Sequence, residues 1–191
     1  MSAPIPAYDA VVLAGGRAAR LAGVAKPALL VGGVALLDRV LAAVDGAGRV
    51  VVVGPIAVTG RAVLWARERP PGGGPVAALA AALPLVTAPL VVVLAADLPF
   101  LTPAAVGEML AAVDVAGVAV AVDDSGRDQP LLAAWETSVL RAALPVEPVG
   151  ARARDLLPPS ARRVTLAGDP PPWRDCDTPE QLAAVRALAA W

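Results

Sequence analysis

The chain has 191 residues, with 16 lysines and arginines against 17 aspartates and glutamates, and a formal charge of −1. This balance argues against a nucleic-acid-binding protein, and 57% hydrophobic with 17% charged residues excludes disorder as the main state. One cysteine and no histidine exclude an internal disulfide, a histidine-dependent nucleophile and a histidine metal site. We expect one domain over residues 1–191, in the reducing environment of the cytoplasm.

A charge-free run from Pro70 to Ala96 is long enough to cross a membrane. Its prolines at positions 70, 71, 75, 84 and 89 would interrupt a continuous helix. The run therefore predicts a loop, a short helix, a turn and a buried strand. The first ten residues lack the basic and apolar regions of a secretory signal, and we expect no membrane association.

Short apolar runs rich in β-branched residues alternate with helical patterns along the chain. The predicted strands are Tyr8–Leu13, Arg49–Val53, Leu90–Leu94, Val118–Val122 and Pro130–Trp135. The predicted helices are Val34–Val44, Val76–Leu83, Pro103–Val113 with Thr102 as N-cap, and a last helix to about Ala190 that opens with a capping box at Thr178. This alternation predicts a three-layer α/β/α fold with a mostly parallel, Rossmann-like doubly wound sheet. Ligands bind such sheets at the carboxyl ends of the strands, so the loops there are the candidate sites.

The loop after the first strand reads Leu13-Ala14-Gly15-Gly16-Arg17 and continues through Arg20 to Lys26. Paired glycines let the backbone approach a ligand, and three cations suit a triphosphate. Pro27 follows Lys26, so the loop is not a Walker A loop, and it does not fit the dinucleotide GxGxxG pattern. Lys26 is the only lysine in the chain, which indicates a need for a compact point charge. A solvated glycine-rich turn is the alternative interpretation.

Asp97 follows a predicted buried strand, where a carboxylate suits a hard cation. A solvated aspartate after a strand remains the alternative.

The first loop resembles the LAGGxSxRMGxxK signature of nucleotidyltransferases related to molybdenum cofactor guanylyltransferase, the MobA-like family. The resemblance implies that residues 13–17 wrap a nucleoside triphosphate and that Arg20 and Lys26 neutralise its phosphates in catalysis. It also implies a fold of the nucleotide-diphospho-sugar transferase type. The chain departs from the pattern at Ala18, Ala22 and Ala25, which affects the positioning of the nucleotide.

Three further segments extend the resemblance. Pro71–Leu79 is similar to the family's GPLAGL segment over the nucleobase, which assigns Gly74 and Pro75 to nucleotide binding. Upstream, where guanylyltransferases often have an aspartate that contacts guanine, Glu68 between Arg67 and Arg69 is the acid available. Asp97 matches the aspartate of the family's DxP motif, which binds magnesium.

The C-terminal half resembles the family in three segments. Residues 173–182 are similar to its xDxDTPEDL segment, which implies that Asp177 is a second Mg²⁺ ligand, with Asp175 in its outer shell. A charge at the start of the last helix is the alternative for Asp177. Residues 124–131 resemble a DGRxQP turn and strand, and residues 150–157 an arginine-bearing helix. With this helix, the resemblance makes three arginines candidates for binding the acceptor phosphate: Arg152, Arg154 and Arg174. Each could equally be a solvated surface residue.

The implied reaction transfers GMP from GTP to the phosphate of molybdopterin and releases pyrophosphate, with Mg²⁺ as cofactor. The resemblance also implies transient contacts of the chain with molybdenum cofactor biosynthesis proteins or recipient molybdoenzymes. A cytidylyltransferase that uses CTP shares every motif, and a nucleotide-binding module without catalysis also stays open. Sugar-1-phosphate nucleotidyltransferases share the first loop but are usually longer.

Overall fold

The structure is a computed structural model that describes residues 6–15, 20–21, 24–57, 59–176 and 178–188. The strands in this part of the chain are β1 (Tyr8–Leu13), β2 (Arg20–Leu21), β3 (Val24–Ala25), β4 (Leu30–Val31), β5 (Val34–Ala35), β6 (Val50–Val53), β7 (Leu64–Ala66), β8 (Leu90–Ala95), β9 (Val118–Val122), β10 (Asp128–Glu136) and β11 (Arg162–Thr165). The α-helices are α1 (Leu36–Ala43), α2 (Pro75–Ala82), α3 (Pro103–Ala111), α4 (Thr137–Ala143) and α5 (Pro179–Leu188). Short 3₁₀ helices occupy Lys26–Ala28, Leu83–Leu85 and Ala153–Leu156.

Seven strands form one sheet in the order β11-β9-β10-β8-β1-β6-β7. Within it, β10 runs antiparallel to β8 and β9, and the other neighbouring pairs are parallel. The chain passes from β1 to β6 and β7 on one side, then returns to β8 on the other side of β1. This reversal between β1 and β8 is a topological switch point, where α/β sheets open a crevice for ligands.

Two hydrophobic clusters cover the two faces of the sheet. Alternate β1 residues contribute to each: Ala10 and Val12 to the cluster that includes α1 and α3, and Val11 and Leu13 to the cluster that includes α2 and α4. Strands buried on both faces need continuous apolar sequence, which explains the valine runs. The predicted three-layer, mostly parallel fold is therefore confirmed.

The predicted elements differ from the structure in several places. Val34 and Ala35 pair with β4 in a small hairpin, so α1 begins at Leu36 and the helix predicted from Val34 starts too early. The segment 150–157 has only a 3₁₀ helix over Ala153–Leu156 where the resemblance implied a longer helix. The prediction also lacked the short hairpin strands β2 to β5, the edge strands β7 and β11, and the helix α4.

Two predicted helix starts are confirmed by their capping hydrogen bonds. The Thr102 hydroxyl accepts from the Ala105 amide at 3.1 Å. At α5, the Gln181 amide donates to the Thr178 hydroxyl, and the Thr178 amide donates to the Gln181 side chain. This reciprocal pair is the predicted capping box. In the charge-free run, the loop, short helix, turn and strand are also confirmed, and no helix in the described ranges is long and apolar enough to span a membrane.

Candidate functional site

The loops that follow β1, β6, β7 and β8 meet at one edge of the sheet, because these strands are parallel. The Ala96 amide donates to the Leu13 carbonyl at 3.0 Å, which ties the loop before Asp97 to the end of β1. The Ala14 amide donates to the Val53 carbonyl at 2.8 Å on the other side. These bonds hold the first-loop backbone between two strand ends, at the switch point.

A first cavity of about 520 Å³ opens at this edge. Six of the residues that we predicted to bind nucleotide line it: Leu13, Gly15, Glu68, Gly74, Pro75 and Asp97. Val53, Gly72, Gly73, Ala78, Ala95, Leu131 and Gly150 complete its described lining. An apolar wall with a few convergent polar groups, in this size range, is typical of a small-molecule site.

Glu68 is only 8% exposed, although its neighbours Arg67 and Arg69 are less buried. It follows β7, and its Oε1 accepts a hydrogen bond from the Gly72 amide at 3.0 Å. A Cβ built on Gly15 would lie 3.9 Å from the same oxygen. Among the described residues, Oε2 has no hydrogen-bond partner. Every side-chain polar atom that is buried in this part of the chain has a partner, so Oε2 is not a buried atom. Oε2 is therefore accessible, and the cavity that Glu68 lines is where it can meet a ligand.

Asp97 lines a second cavity as well, of about 310 Å³, which shares Ala95 and Leu131 with the first. Gln129, Trp173 and Asp175 contribute the other polar or aromatic side chains of its described lining. The Asp97 carboxylate thus stands where two adjacent cavities meet. An arrangement of this kind can hold a donor and an acceptor molecule on either side of one reacting centre.

An irregularity in β10 forms part of the wall between the two cavities. Gln129 pairs with Ala121 of β9, but the next pairing joins Ala133 to Val120, so three extra residues bulge from β10. Leu131, in this bulge, lines both cavities. Bulges commonly re-aim side chains beside active sites, and this bulge places Leu131 in the lining of both cavities.

A third cavity of about 560 Å³ adjoins the first through Gly74, Pro75 and Gly150. Arg152 and Arg154 line it, whereas Arg174 is exposed between Trp173 and Asp175. Of the three arginines predicted to bind the acceptor phosphate, two therefore share the third cavity and one lies outside its described lining.

Some predicted site residues lie outside the described part of the chain: Gly16, Arg17 and Asp177. The predicted Mg²⁺ pair of Asp97 and Asp177 is thus represented by Asp97 alone. The backbone of Arg20 pairs with Ala25 in the β2–β3 hairpin, and Lys26 starts a 3₁₀ helix. No group of three or more acidic, cysteine or histidine residues suited to a metal occurs in the described ranges.

Sequence reasoning missed two glycines that shape the site. A Cβ on Gly54 would lie 3.0 Å from the Ala14 carbonyl carbon, so the glycine lets the β6 loop pass close to the first loop. The Gly150 amide donates to the Gly73 carbonyl at 2.8 Å and brings a distant segment onto the first cavity. Gly54 directly follows a predicted strand, and that position was the available signal. For Gly150, the sequence offered no signal apart from the residue type.

A larger cavity of about 1020 Å³ lies at the opposite end of the sheet, beside the start of β8 and the end of β10. None of the residues predicted to bind nucleotide, metal or acceptor lines it. Eight of its sixteen described lining residues are proline, alanine or leucine, and its charged side chains are those of Glu108, Glu136 and Arg141. Size alone therefore does not identify the site.

The sequence profile described as the MobA-like NTP transferase domain matches residues 10–172. Comparison with curated proteins found no match. Among solved structures, 2-C-methyl-D-erythritol 4-phosphate cytidylyltransferase from Thermus thermophilus is 22% identical with a TM-score of 0.69, over 95% of this chain and 98% of that chain. A nucleotidyl transferase from Methanothermobacter is 19% identical with a TM-score of 0.74, over 95% and 97%. Molybdopterin-guanine dinucleotide biosynthesis protein A from Archaeoglobus fulgidus is 20% identical with a TM-score of 0.69, over 94% and 97%. At such identities these likenesses show the shared fold alone.

Proposed function

Because the chain belongs to the MobA-like NTP transferase family and is a nucleotidyltransferase, we propose that it transfers GMP from GTP to the terminal phosphate of molybdopterin and releases pyrophosphate. The observation that carries the proposal is the position of Asp97 between two cavities. The glycine-lined cavity with buried Glu68 would take the nucleotide, and the cavity with Gln129 and Trp173 would take the acceptor.

The reaction needs no protein nucleophile. An oxygen of the acceptor phosphate attacks the α-phosphorus of the nucleotide, a new P–O bond forms, and the bond to the bridging oxygen breaks so that pyrophosphate leaves. The protein has to align the two phosphates in line and stabilise the charge that develops on them. The lack of histidine in the chain is therefore no obstacle to this chemistry.

Asp97 fits the requirements of a Mg²⁺ ligand. Magnesium prefers carboxylate oxygens, and in nucleotide enzymes one or two carboxylates hold it together with substrate phosphates. The Asp97 side chain lies at the crevice edge, between the proposed donor and acceptor spaces. We propose Asp97 and Asp177 as the ligands, and the bound ion would neutralise charge on the phosphates.

The first loop would bind the triphosphate. Its start is held between β6 and β8 by the bonds of Ala14 and Leu13, and we assign the amides of the loop to the leaving pyrophosphate. We assign Arg20 and Lys26 to charge neutralisation, with Arg17 and Gly16 as further nucleotide contacts. The arginines at positions 152, 154 and 174 would attract the anionic acceptor from the surface around the cavities.

Glu68 supports guanine as the base. The N1–H and 2-amino groups of guanine are adjacent donors, and an ionised carboxylate offers only acceptors. Glu68 presents an accessible Oε2 and is fixed by the Gly72 amide through Oε1. The cytosine edge offers one amino donor beside acceptor atoms, so it would leave this carboxylate poorly matched. GTP is therefore proposed over CTP.

The test is pyrophosphate release by purified protein with molybdopterin, Mg²⁺ and each of GTP, CTP, ATP and UTP. We expect release with GTP that depends on molybdopterin, and stabilisation against heat by GTP with Mg²⁺ that exceeds that by CTP. Release with CTP in place of GTP would assign a cytidylyltransferase. Nucleotide binding without release under any combination would leave a binding module and overturn the proposed reaction.

A further inference from the structure

The second cavity has polar groups that nucleotide binding does not explain. None of the described residues that line it is a lysine or an arginine, and two of them are the carboxylates of Asp97 and Asp175. Carboxylate oxygens accept hydrogen bonds, so this lining favours the part of an acceptor that is rich in N–H or O–H donors.

The side chain of Gln129 is held in one orientation. Its Nε2 donates to Asp123 Oδ2 at 3.0 Å. Asp123 Oδ1 accepts from the Ser125 amide at 2.9 Å, the Ser125 hydroxyl at 2.6 Å and the Arg127 amide at 3.0 Å. Hydrogen bonds from the Ser125 side chain and the Arg127 backbone hold the pKa of Asp123 below its usual value. Asp123 is thus an ionised acceptor, and the Gln129 nitrogen must face it.

The amide oxygen of Gln129 is left for another partner. With Nε2 directed to Asp123, Oε1 receives no hydrogen bond from the described residues. Every buried side-chain polar atom in that part of the chain has a hydrogen-bond partner, so Oε1 is not buried. Oε1 is therefore accessible on a residue that lines the second cavity. Trp173 lines the same cavity and offers an aromatic surface to a flat ring.

We propose that Gln129 determines acceptor specificity, and that Asp123 is a positioning residue that fixes the Gln129 carbonyl as an acceptor for the 2-amino group of a pterin. This inference rests on the proposed function, since it places the acceptor in the second cavity. The aminopyrimidinone edge of a pterin carries the 2-amino group beside N3–H, which are the donors that a cavity of acceptors selects.

A matched pair of ligands tests the proposal directly. 6-Hydroxymethylpterin carries the 2-amino group, and 6-hydroxymethyllumazine carries a carbonyl oxygen in its place. Calorimetric titration in the presence of GTP and Mg²⁺ gives both dissociation constants. We expect the wild-type protein to bind the pterin about tenfold more tightly than the lumazine. The pterin amino group donates a hydrogen bond to the Gln129 oxygen, whereas the lumazine carbonyl places a second oxygen opposite it. Equal affinities, or no binding of either ligand, would overturn the proposal.

The Asp123→Asn variant provides a sharper test. An asparagine can keep the Oδ1 bonds to residues 125 and 127 while its amide nitrogen replaces Oδ2 opposite Gln129. The Gln129 amide must then turn its oxygen to this nitrogen and present its NH₂ group to the cavity. We expect the preference to invert, so that lumazine binds more tightly than pterin. A purely structural role for Asp123 would weaken both ligands together and leave their ratio unchanged.

Two further variants complete the experiment. Gln129→Met removes the polar group at similar size, and we expect the affinity ratio to fall to about one, because neither ligand then meets a donor or acceptor. Asp124→Asn, at the exposed neighbouring position, is the matched control and should keep the wild-type ratio. A wild-type ratio in both Asp123→Asn and Gln129→Met would overturn the inference.

Failure of this inference is distinguishable from failure of the proposed function. Heat stabilisation by GTP with Mg²⁺ and pyrophosphate release with molybdopterin report on the reaction and do not depend on the pterin-to-lumazine ratio. A protein that releases pyrophosphate with molybdopterin but binds both pteridines equally has the proposed function without the Gln129 contact. Tighter binding of glycerol 3-phosphate than of the pterin would instead assign a polyol phosphate acceptor.

Discussion

Each end of the central sheet holds a buried carboxylate, and the two differ in how many hydrogen bonds they accept. Asp9, in β1 at the amino end, is 1% exposed. Its Oδ1 accepts from the Arg49 amide at 2.8 Å, and its Oδ2 from the Thr87 and Ala88 amides at 2.7 and 3.0 Å. Glu68, at the carboxyl end, accepts one hydrogen bond within the described chain, from Gly72.

The difference separates a structural carboxylate from one that is available to a ligand. Asp9 joins the starts of β1, β6 and β8, because the three amides that donate to it belong to residues just before β6 and β8. Glu68 keeps an accessible oxygen in a cavity where glycines allow close approach of a ligand. Burial alone does not identify a functional acid, and the number of unfilled acceptor positions is more informative.

The largest effect should come from the carboxyl end. Asp97→Asn should lower the rate of GMP transfer about 10³-fold, because the amide cannot replace a carboxylate that holds charge next to the phosphates. Asp175→Asn, in the wall of the second cavity, should cost far less. Rates of pyrophosphate release by the two folded variants make the comparison, and equal losses would contradict the central position of Asp97.

At the amino end, Asp9→Ala should lower the free energy of unfolding by about 3 kcal/mol, because three amides lose their partner. GTP affinity should stay within about threefold of wild type, since the site lies at the other edge. Chemical denaturation and calorimetry provide the two readouts. The control is Asp45→Ala, which removes an ion pair of 3.4 Å from a side chain that is 88% exposed and should change stability by less than about 1 kcal/mol. A tenfold loss of GTP affinity in Asp9→Ala would show that the two ends are coupled.

Glu68→Gln should change base preference with little effect on stability. The glutamine oxygen can still accept from Gly72, but an NH₂ group replaces the accessible Oε2, which opposes the donors of guanine and suits the acceptors of cytosine. The ratio of GTP to CTP affinity should fall about 10- to 100-fold. Arg67→Gln, at a neighbouring position, is the control. An unchanged ratio in Glu68→Gln would assign base selection to the backbone.

The smallest predicted effect is a change in protein stability at acidic pH. The pKa of Asp123 lies below its ordinary value of 3.8 because hydrogen bonds favour the charged form. A lowered pKa in the folded state contributes stability above the unfolded value, and this contribution disappears as pH falls through the folded value. The stability difference between wild type and Asp123→Asn should therefore be constant well above pH 3.8 and shrink below it. Urea midpoints at several pH values would measure it, and a difference that grows in acid would refute the assignment.

The sequence predicted the central strands because β1, β6 and β8 are buried on both faces and need unbroken apolar runs. It did not reveal β7 or β11, since short edge strands with exposed or half-buried side chains lack that pattern. The helix α4 was missed because it begins directly at the end of β10, without a loop between them.

The site residues also include some that the sequence could predict and some that it could not. Asp97 was predictable from its place after a buried strand. Glu68 was assigned to the nucleotide through the resemblance alone, because the flanking Arg67 and Arg69 also allow a surface ion pair. The orientation of Gln129 depends on the turn at Asp123, which no local pattern specifies.

A crystal structure of the protein with a non-hydrolysable GTP analogue and Mg²⁺ tests the account most directly. We expect the guanine ring in the glycine-lined cavity with its N1–H and 2-amino groups within about 3 Å of Glu68, and the α-phosphate beside Asp97. A nucleotide bound in the 1020 Å³ cavity at the amino end of the sheet, or with its base turned away from Glu68, would contradict it.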